Sequence, residues 1–117
     1  MTALTAQVLS ANFSVAPQLD PAAMAWAAHA GFRSVINNRP DFEGGPDQPT
    51  SAAIEAAAHA AGLRYAHLPV SPAMQTPQEI AQFAHLLADL PKPILAFCRS
   101  GTRSSNLYRA TLSSASG

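Results

Sequence analysis

Ile94-Leu95-Ala96-Phe97-Cys98-Arg99-Ser100-Gly101-Thr102-Arg103 is the stretch on which the fold turns. Its first four residues are apolar without a break. A run that short reads as a strand covered on both faces, as in the middle of a parallel sheet. Pro91-Lys92-Pro93 cuts it off from what precedes. After it, Gly101 and the hydroxyls of Ser100 and Thr102 mark a tight loop. A helix is expected from near Arg103, carrying Leu107, Tyr108 and Leu112, with a frayed end over Ser113 to Gly117.

Working outward, the same alternation repeats. Thr76-Pro77-Gln78-Glu79 is a capping box with proline in the first turn. Ile80, Phe83, Leu87 and Leu90 follow at helical spacing, which predicts one buried face. Tyr65 to Val70 reads as a strand, and Ser71 to Gln75 as a loop. Thr50 or Ser51 caps a helix ending near Ala61, with Gly62 behind it. Asn38 to Pro49 holds Pro40, Pro46, Pro49, Gly44 and Gly45 and reads as a loop. Phe32 to Asn37 contains Ser-Val-Ile, a short buried strand. Asp20-Pro21 opens a helix that Gly31 ends. Gln7 to Ala16 reads as one extended segment with Val8, Phe13 and Val15 as its apolar positions. Such alternation predicts an α/β fold, a mostly parallel central sheet of about four or five strands with helices on both faces. The 117 residues fit one domain. Ligands of such sheets bind beyond the carboxyl ends of the strands, where Cys98 falls.

Composition removes several function classes. Seven basic and seven acidic side chains give zero net charge. A nucleic-acid binder working by charge, or a protein docking on an acidic membrane, needs clustered Lys and Arg. There is no apolar run of about 18 residues to span a bilayer. Met1 to Ser10 lacks a basic region followed by an apolar one, so a cytoplasmic location is expected. The single cysteine cannot form an internal disulfide or a multi-thiolate zinc site. His29, His59, His67 and His85 include no pair at i, i+4 spacing. The sequence implies no cofactor and no metal.

Cys98 opens a loop that feeds a helix. Loop N–H groups and the helix N-terminus are expected to converge there, with Arg99 and Arg103 adding permanent cations. All of these favour thiolate over thiol. A cradle of donors closed by an arginine fork suits an anion. Ser100, Gly101, Thr102 and Ser104 are the further candidate anion-binding residues, with Thr102 and Ser104 also placed to cap the helix. Arg39, just past the second strand of this reading, is expected on the same face, either binding an anionic substrate or pairing with Asp41. A cysteine protease would need a histidine beside Cys98. Three of the four histidines read as exposed helix residues, and His67 as a hydrogen-bonded strand residue.

Cys-Arg-Ser-Gly-Thr-Arg-Ser, residues 98–104, resembles the active-site loop of rhodanese-type sulfurtransferases. The wider chain resembles the phosphatase-like domain of beta-lactamase-hydrolase-like proteins. The segments that carry this are Asn12 to Leu19, Gly31 to Asp41, Ala61 to Tyr65 and Pro93 to Ser104. The resemblance implies a dual-specificity-phosphatase-like, hence cysteine-phosphatase-like, fold. It also implies a link to sulfur oxidation and, as a partner, a persulfide-oxidising metallo-β-lactamase-like enzyme.

Two features separate sulfur transfer from phosphate hydrolysis at this stage. Four residues lie between Cys98 and Arg103, against five in cysteine phosphatases, and a tighter ring suits a persulfide sulfur better. A phosphatase also needs an acid for the leaving oxygen. The loop Ser71 to Thr76, where the related fold carries one, has no carboxylate. Asp41 is retained as a candidate acid, with Glu43 on the same loop as its alternative, although a solvated loop explains both. The expectation is therefore a sulfurtransferase that moves sulfane sulfur through a Cys98 persulfide to a thiol acceptor, with Arg103 holding the persulfide anion. The alternatives are a cysteine-dependent phosphatase working through phosphocysteine and a non-catalytic module that senses an anion or persulfide. The ligand in each case is a small sulfane-sulfur or phosphate-type anion.

Overall fold

The computed structural model describes residues 6–73 and 75–116, with side chains described through residue 113. In chain order the elements are β1 (Gln7–Ser10), β2 (Phe13–Ala16), α1 (Ala23–His29), β3 (Ser34–Asn37), α2 (Ser51–Ala60), β4 (Arg64–His67), α3 (Pro77–Asp89), β5 (Ile94–Phe97) and α4 (Thr102–Ser116). They form one five-stranded sheet in the order β1-β2-β5-β3-β4. β5 is central and pairs parallel with both β2 and β3, which is why its four residues are all buried and all apolar. β4 extends the parallel run from β3, and β1 alone is antiparallel.

Side chains alternate across β5 as the pleat requires. Leu95 and Phe97 point into the core shared with Leu19, Met24, Ala27, Ile54 and Ala58 under α1 and α2. Ile94 and Ala96 point into the opposite core, with Phe13, Ile36, Phe83 and Leu107 under α3 and α4. In that second core Phe13 meets Phe83 edge-on at 5.8 Å and stacks on Tyr108 at 4.4 Å. Leu95 is 0 % exposed and close-packed between helices and sheet. Leu95→Ala should cost about 2–5 kcal/mol, read as a lowered denaturant midpoint with an unchanged slope.

Four local readings need correction. Gln7 to Ala16 is a hairpin, not one strand. The chain reverses at Ala11–Asn12, where the Asn12 N–H donates to the Ser10 hydroxyl at 3.2 Å. No glycine marks this turn, and Val8 is 71 % exposed on the edge strand. The first helix begins at Ala23 rather than Pro21, and the Asp20 carboxylate accepts the Ala23 N–H at 2.9 Å across the turn that leads into it. Tyr65 to Val70 is shortened to β4, although Leu68 and Val70 still donate to the Asn37 and Asn38 carbonyls at 2.9 and 3.0 Å, with Pro69, which has no N–H, between them. The last helix continues through Ser113 to Ser116, while Gly117 lies outside the described residues.

The other boundaries stand. Thr50 caps α2, Thr76 and Glu79 close the capping box of α3, and Gly31 and Gly62 end their helices with φ of +102° and +84°. Among the described residues no helix is long and apolar enough to cross a membrane.

Candidate active site

The carboxyl ends of β3, β4 and β5 lie along one edge of the sheet, and the chain leaves each of them into a loop there. Cys98 is the first residue beyond β5 and is 0 % exposed. The Gly101 N–H donates to its Sγ at 3.0 Å, so one loop amide does converge on sulfur. Gly101 has φ of +93°, a conformation that L side chains rarely adopt. The Gln18 N–H holds the loop from below through the Arg99 carbonyl at 3.2 Å. At the start of α4 the Ser100 hydroxyl accepts the Thr102 N–H at 3.4 Å and donates to the Thr102 hydroxyl at 3.0 Å.

Ser104 is fully buried and points away from any anion site. Its hydroxyl donates to Asn38 Oδ1 at 2.8 Å, and Asn38 Nδ2 donates to the Leu68 carbonyl at 3.0 Å. This pair ties the ends of β3 and β4 to α4. It is a support beneath the loop, and the ligand role expected for Ser104 is not what the geometry shows.

A cavity of about 800 Å3 opens beside the loop, lined by Arg39, Glu43, Gly44, Pro72, Arg99, Ser100, Thr102, Arg103 and Asn106. At its centre one carboxylate is held by two arginines. Arg103 donates from Nη1 to Glu43 Oε2 at 2.8 Å and from Nη2 to Oε1 at 2.7 Å. Arg39 Nε adds a third bond to Oε1 at 2.9 Å. Both arginine side chains are at most 10 % exposed, and the Glu43 side chain is 21 % exposed. The Arg103 guanidinium, bonded to both oxygens, holds the Glu43 carboxyl below the usual carboxylate range. Partial burial opposes this, and Arg39 reinforces it. Arg103 also donates to the Val70 carbonyl at 3.1 Å. Arg99 lies exposed at the rim.

The Pro/Gly-rich loop after β3 is built to deliver Arg39 and Glu43. Arg39 is fixed by its own N–H to Asn37 Oδ1 at 2.9 Å, by Nη1 to Gln18 Oε1 at 3.0 Å, and by its carbonyl against His67 Nε2 at 2.9 Å. Gly44 lets the Arg39 side chain pass close over the loop, since a Cβ there would stand 2.7 Å from Arg39 Nη2 and displace its tip. Gln48, 7 % exposed, clamps the loop by accepting the Gly44 N–H at 2.7 Å and donating to the Pro40 carbonyl at 2.8 Å. Gln48→Ala should cost about 1–3 kcal/mol through the unpaired groups left behind, seen as a lower melting temperature. The stability should be recovered only by side chains able to bridge the same two groups.

Asp41 does not reach this centre. It is exposed, and its Oδ1 accepts the Ser51 N–H at 2.8 Å at the start of α2. The candidate acid is therefore a helix-terminus acceptor, and the pairing expected between Arg39 and Asp41 is replaced by Arg39 with Glu43. His67 is hydrogen-bonded in place, and His29, His59 and His85 are exposed on α1, α2 and α3. Sequence reasoning missed Gln18, Gln48 and Asn38, ordinary polar residues whose importance lies in partners distant along the chain.

Comparison with known proteins bears directly on the chemistry. The family model for the beta-lactamase hydrolase-like protein, phosphatase-like domain, matches residues 5–116. A beta-lactamase hydrolase-like protein of Agrobacterium fabrum is 42 % identical over 78 residues, which are 67 % of this chain and 18 % of that protein. The chain thus spans about a fifth of the length of that curated relative. Among solved structures, a candidate phosphatase from Neisseria meningitidis superposes with a TM-score of 0.80 at 33 % identity, covering 87 % of this chain and 72 % of the other. Tk-PTP in its active form superposes with a TM-score of 0.67 at 15 % identity, over 82 % and 63 % of the two chains, a likeness of fold.

These matches overturn the sulfur-transfer expectation, and the geometry explains why the two arguments for it fail. The four-residue spacing does not exclude an oxyanion, because the Arg103 fork already holds two carboxylate oxygens at 2.7 and 2.8 Å. Nor is the site without a carboxylate, since Glu43, the alternative to Asp41 on the Arg39 loop, lines the cavity. The family match extends over nearly every residue, and the chain belongs to the phosphatase-like domain family of beta-lactamase hydrolase-like proteins.

Proposed function

We propose that this domain is a cysteine-dependent phosphoric monoester hydrolase working through a phosphocysteine at Cys98. The observation that carries the reading is the Arg103 fork, 6 % exposed, gripping two oxygens of one anion beside a loop whose amide points at sulfur. Bidentate guanidinium recognition of this kind fits a phosphoryl group as well as a carboxylate.

Each residue then has a role. The Cys98 thiolate attacks phosphorus, an S–P bond forms, and the ester P–O bond breaks. Arg103 binds two non-bridging oxygens and stabilises the charge they gather in the transition state. Arg39 and Arg99 supply further positive potential at the cavity wall. Ser100 and Thr102 hold the loop at the start of α4, whose N-terminal amides face the incoming charge. Water then attacks the phosphocysteine, inorganic phosphate leaves, and the thiolate is regenerated.

The test is direct. The protein is incubated with an aryl phosphate, quenched in acid and digested. Release of inorganic phosphate, with a phosphoryl group trapped on the Cys98 peptide, is expected. Oxyanion binding without turnover or adduct would instead leave an anion-binding module.

A further inference from the structure

We infer that Tyr65 and His67, on the edge strand β4, are positioning residues: they hold the backbone of Arg39 from both sides and so decide where its guanidinium stands in the cavity. The inference rests on the phosphatase reading, in which that guanidinium faces a phosphoryl group.

Residues 65 and 67 are two apart on one strand, so their side chains share a face of the sheet. His67 acts directly. Its Nε2 lies 2.9 Å from the Arg39 carbonyl oxygen, and because a carbonyl only accepts, Nε2 carries the proton and donates. Tyr65 acts through Asn37, which the register of β3 and β4 places opposite His67. Asn37 Oδ1 accepts the Arg39 N–H at 2.9 Å, and Asn37 Nδ2 donates to the Tyr65 phenol oxygen at 3.0 Å. An N–H cannot accept, so the Arg39 amide settles which way the Asn37 amide faces. Asn37 is 2 % exposed. Without the phenol its Nδ2 would be buried with no partner, and the amide would turn to find one, taking Oδ1 away from Arg39.

The phenol is itself held in place. It shares a hydrogen bond of 2.7 Å with the Ser51 hydroxyl at the start of α2, and its ring packs on the core under α1 and α2. Burial pushes the phenol pKa up, against the pull of the Ser51 and Asn37 bonds, so it is an uncharged hydroxyl near neutral pH. Asn37 and Ser51 flank the loop that carries Arg39 and Glu43, so one hydroxyl fastens both ends of that loop. The tip of Arg39 is held differently, by side chains from loops: Nη1 by Gln18 and Nε by Glu43. Strands therefore set the root of the side chain and loops set its tip. Arg39 is 8 % exposed, so a shift of its root cannot be absorbed by swinging the guanidinium into solvent.

The test uses Tyr65→Phe, which keeps the packed ring and removes the hydroxyl. Inorganic phosphate is the binding probe, read by calorimetry well below the melting temperature. Tyr65→Phe should weaken phosphate binding about three- to tenfold. The decisive comparison is made in Arg39→Ala, which loses the guanidinium but keeps the backbone N–H that Asn37 binds. There Tyr65→Phe should still lower the melting temperature as it does in the wild type, yet change phosphate affinity by less than about 1.5-fold. A merely structural tyrosine would move affinity equally in both backgrounds. His67, being exposed, supplies a second arm in which folding is not at stake. His67→Leu should weaken phosphate binding by about the same factor, and His67→Gln, which can still donate to the carbonyl, should recover most of it. Unchanged phosphate affinity in Tyr65→Phe or His67→Leu overturns the inference, as does an equal loss with and without Arg39. Wild-type protein that binds no phosphate would instead sink the proposed function, and the positioning role with it.

Discussion

Cys98→Ser should lower aryl phosphate turnover by at least about 10³-fold while leaving the fold in place. The reason is that a serine hydroxyl is a far weaker nucleophile than a cysteine sulfur. Among the described residues no histidine or lysine lines the cavity to take a proton from a serine hydroxyl. The fold should survive because the substitution is nearly isosteric and the serine oxygen can accept the same Gly101 N–H that Sγ accepts at 3.0 Å. A stability change of about 1 kcal/mol or less is expected. Steady-state kinetics with a melting curve on the same sample checks both halves. Turnover within tenfold of wild type would show that the chemistry lies elsewhere.

Arg103 carries the second large effect, and it acts on two properties at once. Arg103→Ala removes the fork that binds phosphoryl oxygens, which should reduce kcat/KM by about 10²–10³-fold. It also strips Glu43 of two of its three bonds and leaves the Val70 carbonyl without its donor. Breaking a fully buried ion pair from one side costs about 3–5 kcal/mol. Here the Glu43 side chain is 21 % exposed and keeps Arg39, so a loss of about 2 kcal/mol is the better expectation. Arg103→Lys separates the two roles. A lysine restores the charge and recovers part of the stability, but presents no planar pair of donors. Chemical denaturation should therefore place the lysine variant between wild type and alanine, with kinetics close to alanine. If lysine restored turnover to within threefold, bidentate recognition would not be what Arg103 contributes.

The outcome at Asp41 and Glu43 shows where local reasoning stops. Two residues apart on one loop, both looked like solvated carboxylates. One accepts a backbone N–H at α2, and the other sits between two arginines, one of them 60 positions along the chain. Nothing in the loop's own composition distinguishes them. Gly44 follows the same logic. In the sequence it is one of two loop glycines, and only the fold shows the Arg39 guanidinium 2.7 Å from where its Cβ would stand. The Gln7–Ala16 hairpin was obscured for another reason: its turn uses Asn12 and Ser10 in place of glycine, and its edge strand exposes the valine taken as a core position.

By itself the sequence determined the alternation of strands and helices, the central place of Ile94–Phe97 and the loop that begins at Cys98. These follow from short-range physics: apolar runs, caps and helix-ending glycines act over a few neighbouring residues. Only the tertiary structure decided which charges meet in the cavity, that Ser104 supports from below, and that the Arg103 fork is already filled by a carboxylate. Those outcomes depend on pairing between side chains tens of residues apart. Such pairs are selected by the sheet order that brings β2, β3 and β5 to one edge, and no periodicity along the chain records them.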